Sequence, residues 1–327
     1  MRAGPVRRRC AARALVACAA LVARAAHAEP SDAPPEVGWN YGELETPRVA
    51  AMGGALRAFG NPMDGLFFNP ANMAASRVYH VGVTAQIWPE AQRQSYGGGA
   101  VDSIVSSSRL AGGFGGAWTL QDPEGIDRRA TDLRFGLAYP FDRVFFLGLG
   151  GRYLWLSQDG VGPLGTSVAS GGLPEEDIVR TLTLDAGVTL RPVPEFALAF
   201  SGQNLTNPGS SFSPTTLGGG AAVGTTEFSL EGDVVIDFTT WDTTRMRVMG
   251  GGELLAGDHF PLRIGWRWDE GADTHALSGG AGYVDRAFSA ELAVRRTVMG
   301  EPATAIVFGF KAHLEATGMT PDPSEGF

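Results

Sequence analysis

The sequence predicts an all-β protein: a transmembrane antiparallel β-barrel of about fourteen strands with an N-terminal plug segment, or hatch. Three observations point there. From about Arg77 onward the apolar residues recur at every second position, the period of a strand and not of a helix. Connectors alternate between short and long along the chain, and a soluble sandwich has no reason to sort its loops in this way. Tryptophans gather at one set of segment ends and other aromatic residues at the opposite set, as the two interfaces of a membrane favour.

The chain of 327 residues opens with the basic run Arg7 to Arg9, an apolar stretch from Ala14 to Ala23, and Ala26-His27-Ala28. This layout predicts a secretory signal peptide over 1–28. Leu15-Val16-Ala17-Cys18 is also lipobox-like, although Arg13 leaves only a short apolar stretch before the cysteine. Both cysteines, Cys10 and Cys18, lie in this segment, so disulfides, thiolate catalysis and cysteine metal sites are excluded from the expected mature chain. Its six arginines would leave as well, taking the formal charge from −9 to about −15. An exported protein this acidic is not expected to bind nucleic acid.

Residues 29–76 are expected to form a periplasmic lead and then the hatch. Glu29 to about Trp39 is rich in proline, serine and acid. Next comes "RVAAMGGALRAFGNPMDGLFFNPANMA", with two Asn-Pro steps and few charges. Asn-Pro starts turns, because proline fixes its φ and pushes the preceding residue out of the helical region. Met63, Leu66, Phe67, Phe68 and Met73 need a buried environment, and the nearest is the lumen of the barrel that follows.

The barrel is expected over 77–314, with strands near 77–88, 95–106, 110–120, 131–140, 143–157, 177–191, 195–204, 215–224, 226–238, 244–255, 261–269, 274–284, 287–296 and 304–314. In "TLTLDAGVTLR", Leu182, Leu184, Ala186, Val188 and Leu190 oppose Thr181, Thr183, Asp185, Thr189 and Arg191. Within strands, Arg134, Asp185, Glu227, Asp237, Arg245, Arg247, Arg263, Arg267, Glu291 and Lys311 share the parity of the polar face, which in a membrane barrel faces the lumen. Trp88, Trp118, Trp155, Trp266 and Trp268 are expected in the outer aromatic belt. Residues 315–327 are expected to be a periplasmic tail.

"AAMGGALRAF" followed by "LFFNPANMA" resembles the N-terminal hatch of the FadL/OmpP1/TodX superfamily of outer-membrane transporters for fatty acids and other hydrophobic compounds. Gly53 and Gly54 fall in its Met-Gly-Gly-Ala run, and Asn69, Pro70 and Ala71 match its Asn-Pro-Ala motif. Asn72 stands where that family usually has glycine, and Asn61-Pro62 where acidic residues are common. "LAFSGQNLTNPG", "GGELLAGDHFPLRIGWRW" and "LSGGAGY" are similar to the PorV branch, whose members act in or beside secretion. The resemblance implies a fourteen-stranded barrel in the outer membrane of a Gram-negative bacterium, bordered by bilayer and lipopolysaccharide. It implies transport of long-chain fatty acids or similar hydrophobic small molecules, with no cofactor. A PorV-like scaffold, contacting secretion-system proteins and transporting nothing, is the alternative.

Inward parity makes Phe146, Arg152, Leu154 and Leu156 candidate ligand-lining residues beside Phe67 and Phe68 of the hatch. Arg152 could orient a carboxylate or pair with a lumen acid. Gly112, Gly113, Gly115 and Gly116 dilute the third strand, where glycine permits kinks or pairing gaps. In the FadL family a kinked third strand makes a side opening, and the resemblance implies one here; glycines that simply give the hatch room are the other reading. The histidines are scattered, and no nucleophile elbow, phosphate loop or His-x-x-x-His pair occurs, so neither an enzyme nor a metal site is expected.

Overall fold

A computed structural model describes residues 44–104, 109–122, 127–158, 176–207, 213–241 and 243–314. The expected signal peptide, the lead to residue 43 and the expected tail from 315 lie outside them. The described chain forms a closed antiparallel barrel of β1 (Tyr79–Trp88), β2 (Arg93–Asp102), β3 (Ala111–Gln121), β4 (Arg128–Pro140), β5 (Phe145–Gln158), β6 (Glu176–Val193), β7 (Phe196–Gln203), β8 (Thr216–Gly224), β9 (Phe228–Asp237), β10 (Arg245–Ala256), β11 (Phe260–Asp269), β12 (Thr274–Val284), β13 (Phe288–Met299) and β14 (Thr304–Leu314). Each strand pairs with its sequence neighbours, and β14 returns to β1 over Tyr79↔Leu314 to Ile87↔Ile306. Closure removes every sheet edge, which is what lets strands cross a bilayer. No described helix is long and apolar enough to do so.

Boundaries depart from expectation at some strand ends. The second strand stops at Asp102, beside which the Ser103 hydroxyl donates to the Ser76 carbonyl at 2.6 Å, and the expected positions 105–106 lie outside the described residues. The sixth runs on to Val193 through an irregularity after Leu190. Tight turns at 141–144, 194–195, 225–227 and 257–259 share one end of the barrel, and the strand ends at Gln158, Glu176, Gln203 and Thr216 share the other; we call these the turn end and the loop end.

Val83, Phe114, Leu149, Phe200 and Ile264 point outward and are exposed, giving the apolar band of an outer-membrane barrel. Trp118, Trp155 and Trp266 lie in the expected loop-end belt, exposed on the outer face. At the turn end the rings of Phe260, Tyr283, Phe288 and Phe310 follow one another at 5.6–5.7 Å. Trp88 departs from the belt. It follows its own strand parity into the barrel, is buried, and lies 3.5 Å from the Arg93 guanidinium. The expected lumen charges Arg134, Asp185, Asp237, Arg247, Arg263, Arg267, Glu291 and Lys311 are buried. Glu227 instead lies exposed in the β8–β9 turn, and Arg245 sits partly exposed beside Glu270.

The hatch folds as α1 (Pro47–Ala51), α2 (Pro62–Phe68) and a 3-10 turn (Pro70–Ala74). Both Asn-Pro steps, expected as turns, are helix starts. Asn61 and Asn69 are the N-caps and the prolines occupy the first helical position, where the missing N–H is not needed and φ is already correct. Asn61 and Asp64 form a reciprocal capping box. Short helices of this kind are marginal alone, so the surrounding wall must hold them.

Candidate functional site: the hatch seat in the lumen

The barrel receives the hatch on a girdle of inward glycines. A Cβ on Gly251 would lie 2.6 Å from the Met52 carbonyl oxygen, one on Gly280 2.6 Å from the Ala51 Cβ, and one on Gly309 2.7 Å from Pro47 Cγ. At Gly148 and Gly187 it would overlap Pro70, Ala71 and Asn69. The excess of glycine, 46 residues, is thus in part a socket that lets two backbones approach. The hatch answers with Gly53 and Gly54, at φ +72° and +98°, where a Cβ on Gly53 would lie 2.5 Å from the Trp266 carbonyl oxygen.

Polar latches fix the hatch from several directions. Asp233 Oδ2 accepts the backbone N–H groups of Leu56 and Arg57 and pairs with the Arg57 guanidinium at 3.2 Å. Glu231 accepts Ala58 N–H at 2.6 Å and Phe59 N–H at 2.9 Å. These acids of β9 replace the water that exposed N–H groups would otherwise need. Asn69 donates to Thr189 Oγ1 at 2.9 Å, Thr189 donates to Asn72 Oδ1 at 2.7 Å, and both asparagines donate to the Arg57 carbonyl. Further bonds run from Gln86 to the Glu45 carbonyl, Gln203 to the Phe67 carbonyl, Ser278 to the Ala51 carbonyl and Arg267 to the Gly53 carbonyl. Glu45 also pairs with Arg267 at 2.8 Å and Arg295 at 2.5 Å. Burial pushes its carboxyl pKa up, but the two guanidinium groups outweigh that and hold it down at about 2.

Toward β2–β5 the hatch meets the wall through apolar side chains instead. Met73, Leu66 and Met63 lie against Gly113, Gly115, Gly136 and Gly99, and Val101, Ala111, Ala138 and Phe146 complete one buried cluster with Phe67 and Phe68. Outside the same wall lies a groove of about 810 Å³, floored by Gly112, Gly113, Gly136 and Gly148 and flanked by Phe114, Leu137, Leu149 and Leu184. Between the hatch and the bilayer the wall is here little more than backbone.

The structure brings Phe67, Phe68 and Phe146 into that cluster, while Leu154 and Leu156 are buried further toward the loop end. Every guanidinium nitrogen of Arg152 has a protein partner: Asp132 at 2.8–2.9 Å, Ser213 at 3.2 Å and Asn204 at 3.4 Å. With Arg134 and Asp185 it forms a lumen ion network. In β3, Gly113 and Gly115 face the hatch, and the ladder runs from Gly112 to Gln121 with β2 and from Ala111 to Gln121 with β4, without a register shift. No pairing gap opens at these glycines, and the inward ones make room for Met73 and Leu66.

Sequence reasoning passed over a basin at the turn end, of about 510 Å³, with Arg48, Phe59 and Asn61 of the hatch on its floor. Its histidines lie far apart in the chain and meet only through the β1–β14 seam, where His80 and His313 are opposite. Strand pairing of the first and last segments was the signal that could have found them.

No protein-family model matches the chain, and no curated protein matches it in sequence. Solved structures do. The monoaromatic hydrocarbon channel CymD superposes with a TM-score of 0.65 at 14% identity, over 83% of this chain and 97% of its own. The toluene transporter TbuX of Ralstonia pickettii gives 0.61 at 13%, over 84% and 99%. A FadL homologue of Pseudomonas aeruginosa gives 0.59 at 14%, over 82% and 97%. At these identities the likeness is one of fold, covering nearly the whole length of each relative.

Proposed function

We propose that this chain, a barrel with the fold of the FadL- and TodX-type channels, carries small hydrophobic compounds across the outer membrane. The observation that carries this reading is the two-sided hatch. It is latched by polar groups around most of the lumen, yet rests through Met63, Leu66 and Met73 on a glycine-thinned wall whose outer surface is an apolar groove. A compound entering beneath the loops would pass Leu154 and Leu156, meet Phe67, Phe68 and Phe146 at the hatch, and leave sideways between β2 and β5 at Gly112, Gly113, Gly115 and Gly116. Substrates range from a monoaromatic hydrocarbon to the acyl chain of a fatty acid, with about 0.8 kcal/mol gained per buried methylene. The chemistry asked of the protein is displacement and release, not bond making.

The test is uptake of toluene and of a long-chain fatty acid by a Gram-negative host that lacks such channels but keeps its lipopolysaccharide barrier. Cells expressing the chain should take up one or both faster than cells expressing an unrelated barrel. Equal rates for both compounds would leave the PorV-like scaffold, with secretion-system partners, as the better account.

A further inference from the structure

We propose that the turn-end basin of the lumen binds a small organic carboxylate. Barrel closure assembles the site from three strands. The β1–β14 register sets His80 opposite His313, and the β13–β14 register sets Ser289 opposite Lys311. Lys311 and His313 are alternate residues of β14, so all four side chains occupy one patch of the inner face. The imidazoles lie 4.6 Å apart, edge to face.

Two of these groups are buried without a partner. His80 is 6% exposed and Ser289 1%, yet His80 Nδ1 and Ser289 Oγ have no hydrogen-bond partner among the described residues, and both side chains line the basin. Such groups are rare in folded proteins, because each forfeits its hydration. The basin holds charges of both signs, and Lys311 is the cation beside these two groups. Its Nζ lies 3.2 Å from Glu291 Oε1, whose other oxygen takes Arg263 at 2.5 Å, and Arg263 also pairs with Glu253 at 2.5 Å. An ammonium, an imidazole and a hydroxyl around one point are donors suited to an oxyanion.

The rest of the basin selects an organic ligand. Phe59 lies on its floor, Leu255 and Pro261 in its wall, and Arg191 reaches to 5.4 Å from the Phe59 ring. About 510 Å³ is the scale of a site for a small organic molecule and much more than an inorganic anion fills. The carboxylate would sit at Lys311, His80 and Ser289 with its apolar body across Phe59. The inference goes beyond the transport reading and does not rest on it, since toluene uptake can fail while a carboxylate binds.

Calorimetric titration of the detergent-solubilised protein with benzoate, benzyl alcohol and inorganic phosphate tests it. Benzoate should bind at least about tenfold tighter than either of the others, and Ser289→Ala and His80→Gln should each weaken benzoate by about tenfold, the scale of one lost charge-assisted hydrogen bond. Benzyl alcohol binding should be unchanged in both variants. Unaltered heat-modifiable gel migration of Ser289→Ala would show that its barrel still forms. Benzoate binding no tighter than benzyl alcohol, or unaffected by Ser289→Ala in a folded barrel, would overturn the site. Phosphate binding as tightly as benzoate would overturn the choice of an organic carboxylate and leave an inorganic oxyanion.

Discussion

Asn69 of the hatch donates a 2.9 Å hydrogen bond to the hydroxyl of Thr189 on β6, and that hydroxyl in turn donates one to Asn72 Oδ1 at 2.7 Å. One threonine thus satisfies two buried amides. Thr189→Val keeps the shape and removes both bonds, so it should cost about 1–3 kcal/mol. Thermal unfolding in detergent should show the loss, and a midpoint equal to wild type would mean that the hatch is held elsewhere.

The glycine girdle makes a sharper claim. Gly148→Val would place side-chain atoms where Pro70 and Ala71 already lie, whereas Gly279→Val faces ordinary contact, with its nearest neighbour at 3.6 Å. The first should destabilise the protein by about 1–3 kcal/mol or displace the hatch, and the second should be close to neutral. Equal melting of the two variants would remove the socket as the explanation for the glycines.

Much of this architecture was legible in the sequence, and the illegible part has a common cause. Strand period, connector alternation and lumen parity are local properties, and they placed fourteen strands with small errors at the ends. The Asn-Pro-Ala motif marked the hatch through its resemblance to a known family, while the two Asn-Pro steps, read as turns, are helix starts because asparagine caps and proline fits the first helical position. Gly113 and Gly115 read either as weaknesses of β3 or as room for the hatch, and the strand alone could not decide because the side chains they face, Met73 and Leu66, are neither in β3 nor beside it. Glu45 and Arg267 are 222 residues apart, and no periodicity joins them. Trp88 was misplaced by weighing residue type above strand parity, and the basin was missed because its histidines become neighbours only when the barrel closes.

The latch at Glu45 carries a pH dependence. Its carboxyl is held at about 2 in the folded protein, against an ordinary value of 4.5. A folded pKa below the unfolded one adds stability that is complete above about 4.5 and is lost as pH falls toward 2. Hatch retention, read as single-channel conductance, should therefore be the same at pH 7 and 5 and fail progressively below 4. Glu45→Gln should leak already at pH 7, since it leaves Arg267 and Arg295 facing an uncharged partner, a change costing about 3–5 kcal/mol for a buried pair. Wild-type-like conductance of this variant at neutral pH would assign the retention to the other latches.

Removing residues 49–75 altogether should convert a poorly conducting barrel into an open pore in planar bilayers. Charged groups such as Glu231 and Asp233, now bound to hatch N–H groups, would then take water. Unchanged conductance would mean that the segment does not block the passage.

Side exit is tested at β3. A Cβ on Gly113 would lie 2.9 Å from Met73 Sδ, and one on Gly115 3.1 Å from Leu66. The double variant Gly113→Val, Gly115→Val should thicken the wall and slow uptake several-fold while leaving ligand binding in place. Uptake at the wild-type rate would direct the exit elsewhere.

The hatch lies N-terminal to every strand, yet its latches are borne by β6, β7 and β9 to β13 as well as β1. It is therefore made first and can be seated only after most of the wall exists. Once β14 joins β1 the segment is enclosed and tethered to the wall through residues 76–78. Wrapping the sheet around its own leading end seats the hatch before the seam closes, whereas a barrel closed without it leaves acids such as Glu231 and Asp233 in its wall with nothing to receive.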